Sequence, residues 1–567
     1  MMEQYSNLDI AELSLSAPFF REKVTRFLES SGLRADAMDA YYCIQNQDSD
    51  IIAGAGISHD IIKCVAVAPE ARSEGLLTPL VSRIIQDAAL RGIHNLKVFT
   101  KPEYRALFES LGFKKLAAAP EVILLENGRG LADYVAYLEG MRRTGRSGVV
   151  VMNANPFTLG HKYLLSKALE EVDNLYVIPV REDVSMFPYS ERKAMIEACG
   201  LGDRVIVPDG SSYIISAATF PTYFLKDLST AAETQMRLDI DLFGKHIAPA
   251  LGAEVRFVGS EPHDSLTARY NELMKQLLPL KVVETERLSG VSASKVRAAL
   301  EEGVFEKAAF LTPSETHPYL LASLARRALR VELDTPLKPG LVCPDSNGAH
   351  KDMDYGTMLR GIEALRPFFP AMATASSARD LCRLGVEAEK AMLAATGGVN
   401  THRGAIYAIG LALNAAGRAY GRGEREMQVS DTQEFMQKAC REIAGSLLAN
   451  SLTDNDIHFT RGARAMALSG YRLLFEDWLP FYRTSREKDD REVLTLLKIM
   501  STLDDTCIVH RVGEERAKSV REEAKQLLSR FDKGMLVQMC ERYAREGISP
   551  GGAADMLSLT IFTDSII

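Results

Sequence analysis

The chain has 567 residues, too many for one hydrophobic core and enough for about three or four domains. Its 46% hydrophobic and 25% charged residues are the composition of an ordinary soluble globular protein. A net charge of -8 argues against a general binder of nucleic acid or anionic membranes. Eight cysteines, at 43, 64, 199, 343, 382, 440, 507 and 540, are scattered without a C-x-x-C pair, so neither a zinc site nor a disulfide framework is signalled. The opening MMEQYSNLDIAELS has no basic region followed by an apolar stretch, and no uncharged apolar run reaches the length of a membrane span, so a cytoplasmic location is expected.

Residues 1 to 143 alternate strand-like and helix-like patterns. Ala40 to Gln45 and Ile51 to Ile57 read as paired strands around a turn at Asn46 to Asp50, and Ile61 to Val67 reads as a third. Pro69-Glu-Ala-Arg72-Ser-Glu-Gly75-Leu-Leu77 leads into a helix through Leu90, then a strand at Asn95 to Phe99, a short helix at Glu103 to Ser110, and Leu111-Gly112-Phe113. This succession resembles the GNAT acetyltransferase fold, in which R-x-x-G-x-G/A turns backbone N–H groups toward the pyrophosphate of coenzyme A. Arg72 and Gly75 match that pattern, whereas Leu77 stands where glycine or alanine is usual and crowds the approach. The resemblance therefore implies a scaffold or docking module.

Met141 to Gly148 is polar, basic and glycine-bearing, and reads as a linker. From Gly148 to Leu165 the sequence GVVVMNANPFTLGHKYLL reads as a buried strand (Val149 to Met152), a tight loop and a helix start. Such a helix start is an anion site, because unpaired N–H groups and the helix dipole face the loop. In Thr158-Leu-Gly160-His161 the glycine allows close approach, and the imidazole can donate to phosphate. Asn174 to Val180 and Arg204 to Pro208, with a helix at Ser190 to Cys199 between them, complete a β-α-β-α-β succession and hence a parallel sheet. Gly290-Val-Ser292-Ala-Ser294-Lys295-Val-Arg297 opens a helical run from Lys295 to Glu302. Capping explains the serines, but two cations in a first turn oppose the dipole unless an anion is present.

The T-x-G-H and S-x-S-K-V-R pair resembles the HxGH-type nucleotidyltransferases. With Asn153-x-Asn155, Tyr213 to Lys226 and Val258-Gly259-Ser-Glu261 to Asn271, the resemblance narrows to citrate lyase ligase, over residues 1 to about 317. It implies activation of acetate by ATP through acetyl-adenylate, and acetyl transfer to the prosthetic-group thiol of the citrate lyase acyl carrier protein subunit. It also implies that His161, Lys295 and Arg297 neutralise charge together with Mg²⁺. Asn155, Thr158, Gly160, Gly259, Glu261, Ser292 and Ser294 would border the nucleotide, and Lys226 would be an additional cation.

Beyond Tyr319 alanine, leucine and arginine follow the 3.6-residue period, which predicts an all-α domain interrupted by four polar loops. The loop around Lys338-Pro-Gly-Leu-Val carries His350, Asp352 and Asp354, nitrogen and oxygen ligands suited to Mg²⁺ with phosphate. The others are Thr396 to Gly404, Asp504 to Arg511 and Ile548 to Asp555, and four such loops on one scaffold favour a cleft. K-P-G-L-V, N-G-A-H-K-D-M-D, E-x-x-M-x-x-A-T-x-G-V-N-T-H and S-P-G-G-x-A-D together resemble triphosphoribosyl-dephospho-CoA synthase. That resemblance implies transfer of the triphosphoribosyl unit of ATP to the ribose 2′-hydroxyl of 3′-dephospho-CoA, with adenine expelled. It implies a nucleotide site at Lys338, Asn400, His402, Gly551 and Gly552, a metal set of His350, Asp352, Asp354 and Asp505, and a carboxylate near the ribose from Glu389 or Asp352. Cys343, Cys507 and Arg403 depart from the Asp, Asn and Lys usual in the family.

The expected architecture is multidomain: an α/β GNAT-like module (1–143), an α/β Rossmann-like nucleotidyltransferase domain with a parallel sheet (144–317), and an all-α C-terminal domain (318–567). The expected function is bifunctional, in citrate lyase maturation and activation, with ATP as substrate and neither nucleic acid nor membrane as partner. Another HxGH-type nucleotidyltransferase making a dinucleotide cofactor, with the helical domain as a non-catalytic carrier-protein docking module, stays open.

Overall fold

The structure is a computed structural model that describes residues 9–72, 74–181, 185–214, 228–261, 264–420, 429–451 and 462–567. Its first strands are β1 (Ile10–Leu13), β2 (Ala40–Gln45), β3 (Ile51–Ser58), β4 (Ile61–Val67), β5 (Leu96–Thr100), β6 (Lys114–Ala118) and β7 (Ile123–Asn127). They form one sheet in the order β1-β2-β3-β4-β5-β7-β6. All neighbours run antiparallel except β4 and β5, which run parallel and pair only at Ile61–Lys97 and Ile62–Val98. The helix Pro18–Ser30 buries Val24, Phe27 and Leu28 in the core on one face, and Leu77–Leu90 buries Leu80, Val81 and Ile84 in the core on the other.

A second sheet contains β8 (Ser147–Met152), β9 (Asn174–Pro179), β10 (Val205–Ile206), β11 (Ala253–Gly259) and β12 (Lys281–Thr285), all parallel, in the order β10-β9-β8-β11-β12. Strands covered on both faces need continuous apolar runs, and β9 is buried at every residue. The chain lays β9 and β10 to one side of β8 and β11 and β12 to the other, so the topological switch point lies between β8 and β11. A ligand crevice forms beyond the carboxyl ends of strands at such a point.

The two sheets are joined by one core. Phe99, Ala117 and Leu124 of the first sheet pack with Leu238 and Leu242 of the helix Leu228–Leu242 and with Tyr213. Polar bonds reinforce the join: Lys97, 3% exposed, donates to Asp60 (2.6 Å) and Ser212 (2.7 Å), the Tyr213 hydroxyl donates to buried Glu126, and Ala118 N–H donates to Asp241 (2.9 Å). The predicted linker is tied down as well. Arg143 N–H donates to the Tyr176 hydroxyl (2.9 Å), Arg146 N–H to Asp173 (2.8 Å), and the Asn174 amide to Thr144 O (2.8 Å).

By contact, the chain divides into two compact units, Met1–Asn155 with Gly160–Ser289, and Pro156–Leu159 with Gly290–Ile567. The second begins well before Tyr319 because the helices Ala293–Glu302 and Phe305–Phe310 pack on the helix His317–Asp334. Four of its helices, His317–Asp334, Phe369–Thr374, Arg403–Tyr420 and Gly551–Ile566, form its centre. The last is apolar nearly all round and correspondingly buried. Among the described residues no helix is long and apolar enough to cross a membrane.

The shared core makes a specific prediction. Leu238→Ala should cost about 2–5 kcal/mol, and chemical denaturation followed by probes in both sheets should show one coincident transition rather than two.

Candidate functional site

In the first unit the site grows from the carboxyl end of β8. Ala154 adopts φ +49°, a left-handed conformation that non-glycine residues rarely take, so the loop needs external support. Arg192, on the helix Tyr189–Glu197 and fully buried, supplies it. Its Nη1 donates to Asn153 O (2.8 Å), Asn153 Oδ1 (2.7 Å) and Val180 O (2.8 Å), and its Nε donates to Phe187 O (3.0 Å). Asn155 Oδ1 in turn accepts from Phe187 N–H (3.1 Å). Arg192 thereby ties the ends of β8 and β9 together. Sequence reasoning placed it on a helix and missed this role, since its partner lies 39 residues away.

The helix Leu159–Leu169 presents His161 in its first turn. Burial, helped by the positive charge of Arg287, lowers its pKa from 6.5 to about 4, so the imidazole is neutral near pH 7. Arg287, absent from the predicted set, pairs with Glu261 beyond the end of β11, and its N–H donates to Ser260 Oγ (3.2 Å). Gly259 O accepts from the Asn271 amide (2.9 Å). His161, Gly259 and Glu261 therefore belong to the carboxyl-end crevice of the parallel sheet. Lys226 lies outside the described residues.

In the second unit, Ser292 caps the helix Ala293–Glu302 by accepting from Lys295 N–H (3.3 Å), and its hydroxyl lies 3.0 Å from that of Ser294. The Lys295 ammonium reaches back to Gly290 O (3.0 Å). The short segment Pro156–Leu159 belongs here too: Leu159 N–H donates to Leu311 O (3.0 Å), and Phe157 O accepts from the Thr316 hydroxyl (3.3 Å). Thr158 thus falls in the unit that carries the S-x-S-K-V-R helix start, while Gly160 and His161 fall in the other.

The helical unit encloses a cavity of about 600 Å³ whose lining includes Glu389, Asn400, Asp505 and Gly552 of the predicted set. It also includes Arg403, Cys507 and Asp555, with an apolar side formed by residues such as Leu381, Ile406 and Met556. Asn400 Oδ1 accepts from Arg403 N–H (3.2 Å), and Arg403 Nε donates to Glu389 (2.6 Å). Lys338 and His402 do not border this cavity. Lys338, 2% exposed, donates to Glu332 O (2.6 Å) and forms a buried ion pair with the Glu332 carboxylate. His402 holds Thr401 through Nδ1 (2.8 Å), its Nε2 is buried without a hydrogen-bond partner among the described residues, and burial with the Lys338 charge lowers its pKa to about 3. Gly340 of K-P-G-L-V, at φ +70°, has a packing reason, because a Cβ there would lie 1.9 Å from Ile548 O.

The four predicted metal ligands are not gathered into a ready cation site. Among the described residues no group of three or more His, Cys, Asp or Glu could hold a metal ion. His350 shares a hydrogen bond with Ser549 Oγ (2.8 Å) and has the Arg511 guanidinium 3.4 Å from Nδ1, a cation where a metal would need a lone pair. Asp354 caps the helix Tyr355–Leu365 through Thr357 N–H (2.7 Å), and that bonding lowers its pKa. Asp505 accepts from Cys507 N–H (2.8 Å) and Ala553 N–H (2.9 Å).

The candidate centres are thus two: a parallel sheet with a helix start at its switch point, and, in the same chain, a helical body around a cavity bordered by carboxylates. Residues 147–320 match the citrate lyase ligase C-terminal domain, and residues 318–567 match the ATP:dephospho-CoA triphosphoribosyl transferase family. The citrate (pro-3S)-lyase ligase of Escherichia coli strain K12 is 39% identical over 315 residues, covering 53% of this chain and 89% of that protein. The ligase of the same name from Haemophilus influenzae is 39% identical over 52% of this chain and 94% of its own length. A Salmonella gallinarum protein named probable 2-(5''-triphosphoribosyl)-3'-dephosphocoenzyme-A synthase is 36% identical over 43% of this chain and 89% of its own length. The chain belongs to the citrate lyase ligase family through its N-terminal part and to the triphosphoribosyl-dephospho-CoA synthase family through its C-terminal part.

Two outcomes are expected. Arg192→Met should destabilise the protein by about 3 kcal/mol or more, because it strands several buried acceptors at about 1–3 kcal/mol each, and should lower acetate-dependent AMP formation together with thermal stability. His161 and His402 bind protons less readily in the fold than unfolded, so their contribution to stability is complete above pH 6.5 and is lost as pH falls toward 4. His402→Gln, whatever its cost at pH 7, should flatten that limb in unfolding experiments between pH 7 and 4.

Proposed function

We propose that the α/β part activates acetate with ATP and acetylates the prosthetic-group thiol of the citrate lyase acyl carrier protein, while the helical part makes the precursor of that group. Membership of both families in one chain is the observation that carries this reading, because the product of one activity is chemically the forerunner of the other's substrate. The dinucleotide-forming alternative is not favoured, since neither matched family is of that kind.

In the ligase reaction an acetate oxygen attacks the α-phosphorus of ATP, diphosphate leaves, and acetyl-adenylate then meets the thiol. No protein nucleophile is needed, so catalysis is positioning plus electrostatics. Neutral His161 donates a hydrogen bond to a phosphate oxygen. In the first unit, backbone N–H groups around Asn155 and Gly160 bind phosphate; the second unit carries its own anion-binding helix start at Ser292–Ser294, with Thr158, Lys295 and Arg297. Gly259 and the Glu261–Arg287 pair border the nucleotide. The GNAT-like module positions the pantetheine arm that bears the thiol.

In the transferase reaction the cavity beside Glu389, Asn400, Gly551 and Gly552 takes ATP and 3′-dephospho-CoA. Lys338, bonded to Glu332, and His402, bonded to Thr401 of the loop that carries Asn400, act from behind its wall. Mg²⁺ enters with ATP as the complexed substrate: Asp352 is exposed 3.9 Å from His350 Nδ1, Asp354 caps a helix and Asp505 bonds backbone N–H groups, and the four do not gather into one site. Asp352 then has no metal role to lose. Asp352→Ala should keep more than about a tenth of the wild-type rate of adenine release, within the range left by loss of an exposed charge that no step requires.

The two halves are tested separately on the full chain. ATP with acetate should yield AMP, and His161→Ala should reduce this at least about 100-fold without slowing adenine release. ATP with 3′-dephospho-CoA should yield free adenine at an unchanged rate in that variant. Normal AMP formation by His161→Ala would overturn the assignment of the first centre.

A further inference from the structure

Two carboxyls that the sequence did not connect meet at the wall of the helical cavity. Asp505 precedes the helix Thr506–Val512, yet it also bonds the start of the terminal helix Gly551–Ile566 through Ala553 N–H (2.9 Å). Asp555, on that terminal helix, sits at the start of the helix Arg403–Tyr420, so close that a Cβ at Gly404 would lie 1.9 Å from its Oδ2. Both carboxyls border the cavity, as does Glu389, which is paired with Arg403.

Their surroundings differ. Burial raises Asp505 above the usual carboxylate range, while backbone N–H donors at Ala553, Cys507, Ile508 and Gly552 favour its ionised form. Asp555 has the single Ala405 N–H and faces the carboxyls of Asp505 and Glu332, the latter paired with Lys338; Cys507 and Tyr471 are the other titratable groups against it. Burial and those like charges raise Asp555 well above the usual carboxylate range. Among the cavity groups, Arg403 is too strong a base to give up a proton, and the Cys507 thiol is pushed up to about 12. Of the two buried carboxyls that meet at the wall, Asp555 has one backbone donor against four for Asp505 and faces two carboxyls, which makes it the better-placed acid.

Resting on the triphosphoribosyl-transfer reading, we propose that Asp555 is the general acid that protonates adenine as its bond to ribose breaks. The C1′–N9 bond breaks with its electron pair moving to the base, and the Asp555 proton passes to a ring nitrogen of adenine. The 2′-oxygen of 3′-dephospho-CoA bonds to C1′, and its proton passes to the Glu389 carboxylate. Exchange with water returns one proton to Asp555 and removes one from Glu389, so the cycle balances. Unprotonated adenine is a poor leaving group from an oxocarbenium-like centre, which is why an acid belongs there.

The test measures adenine release by the full-length protein with ATP or with N7-methyl-ATP, whose base departs neutral without a proton. Asp555→Asn keeps the shape and the acceptor for Ala405 N–H. It should lower kcat on ATP about 100- to 10,000-fold, with KM for ATP within about threefold, while staying within about tenfold of wild type on the methylated analogue. Equal losses on both substrates would make Asp555 merely structural and overturn the proposal, as would full activity on ATP. A second measurement needs no variant: in the wild-type enzyme the alkaline limb of the kcat profile should appear with ATP and vanish with N7-methyl-ATP, and a limb shared by both would also overturn it. Absence of adenine release from the wild type would instead remove the underlying transferase reading, and acetate-dependent AMP formation by the same sample reports that the protein is folded.

Discussion

Helix starts carry backbone N–H groups that no residue of the same helix can satisfy, and much of this protein is arranged around what satisfies them. At Ser292 a hydroxyl of the chain itself does so, at Asp354 a carboxylate, at the start of Arg403–Tyr420 the nearby Asn400 amide oxygen, and at the start of Gly551–Ile566 Asp505 from a distant loop. After β8 the first N–H of the helix, Leu159, is met by Leu311 O, and under the proposed function the backbone around it also takes phosphate. The same requirement is met by a protein group in one place and, in that proposal, by a ligand in another.

That distinction reorganises the reading of the helical unit. Lys338, His402, His350 and Asp354 belong to sequence patterns that suggest direct contact with nucleotide or metal, but their polar atoms are largely turned toward protein partners. Their tight pairing explains why such residue types stand at those positions without any of them lining the cavity. The carboxyls that do line it, Glu389, Asp504, Asp505 and Asp555, stand in unequal surroundings, and unequal surroundings let chemically identical groups hold different protonation states.

The first sheet illustrates a different arrangement. Its β4 and β5 pair over only two residues and then part, and Phe99 of β5, Ala117 of β6 and Leu124 of β7 share one core with Leu238, Leu242 and Tyr213 from the neighbouring α/β fold. The first sheet is therefore part of the same body as the parallel sheet.

Much of this was legible in the sequence. Buried strands such as Ile61–Val67 and Asn174–Pro179 and the helix Ala293–Glu302 are encoded by local periodicity and turn residues, and they lie within a residue or two of where those signals put them. The family pair and the helical character beyond Tyr319 are equally local properties, because spacing along the chain is enough to specify them. Tertiary structure alone decided that Arg192 braces Asn153, that Arg287 holds Glu261 and depresses His161, and that Asp505 and Asp555 meet at one wall. These depend on burial and on partners tens of residues apart, so the charge of each group is set by neighbours that no spacing rule along the chain can supply.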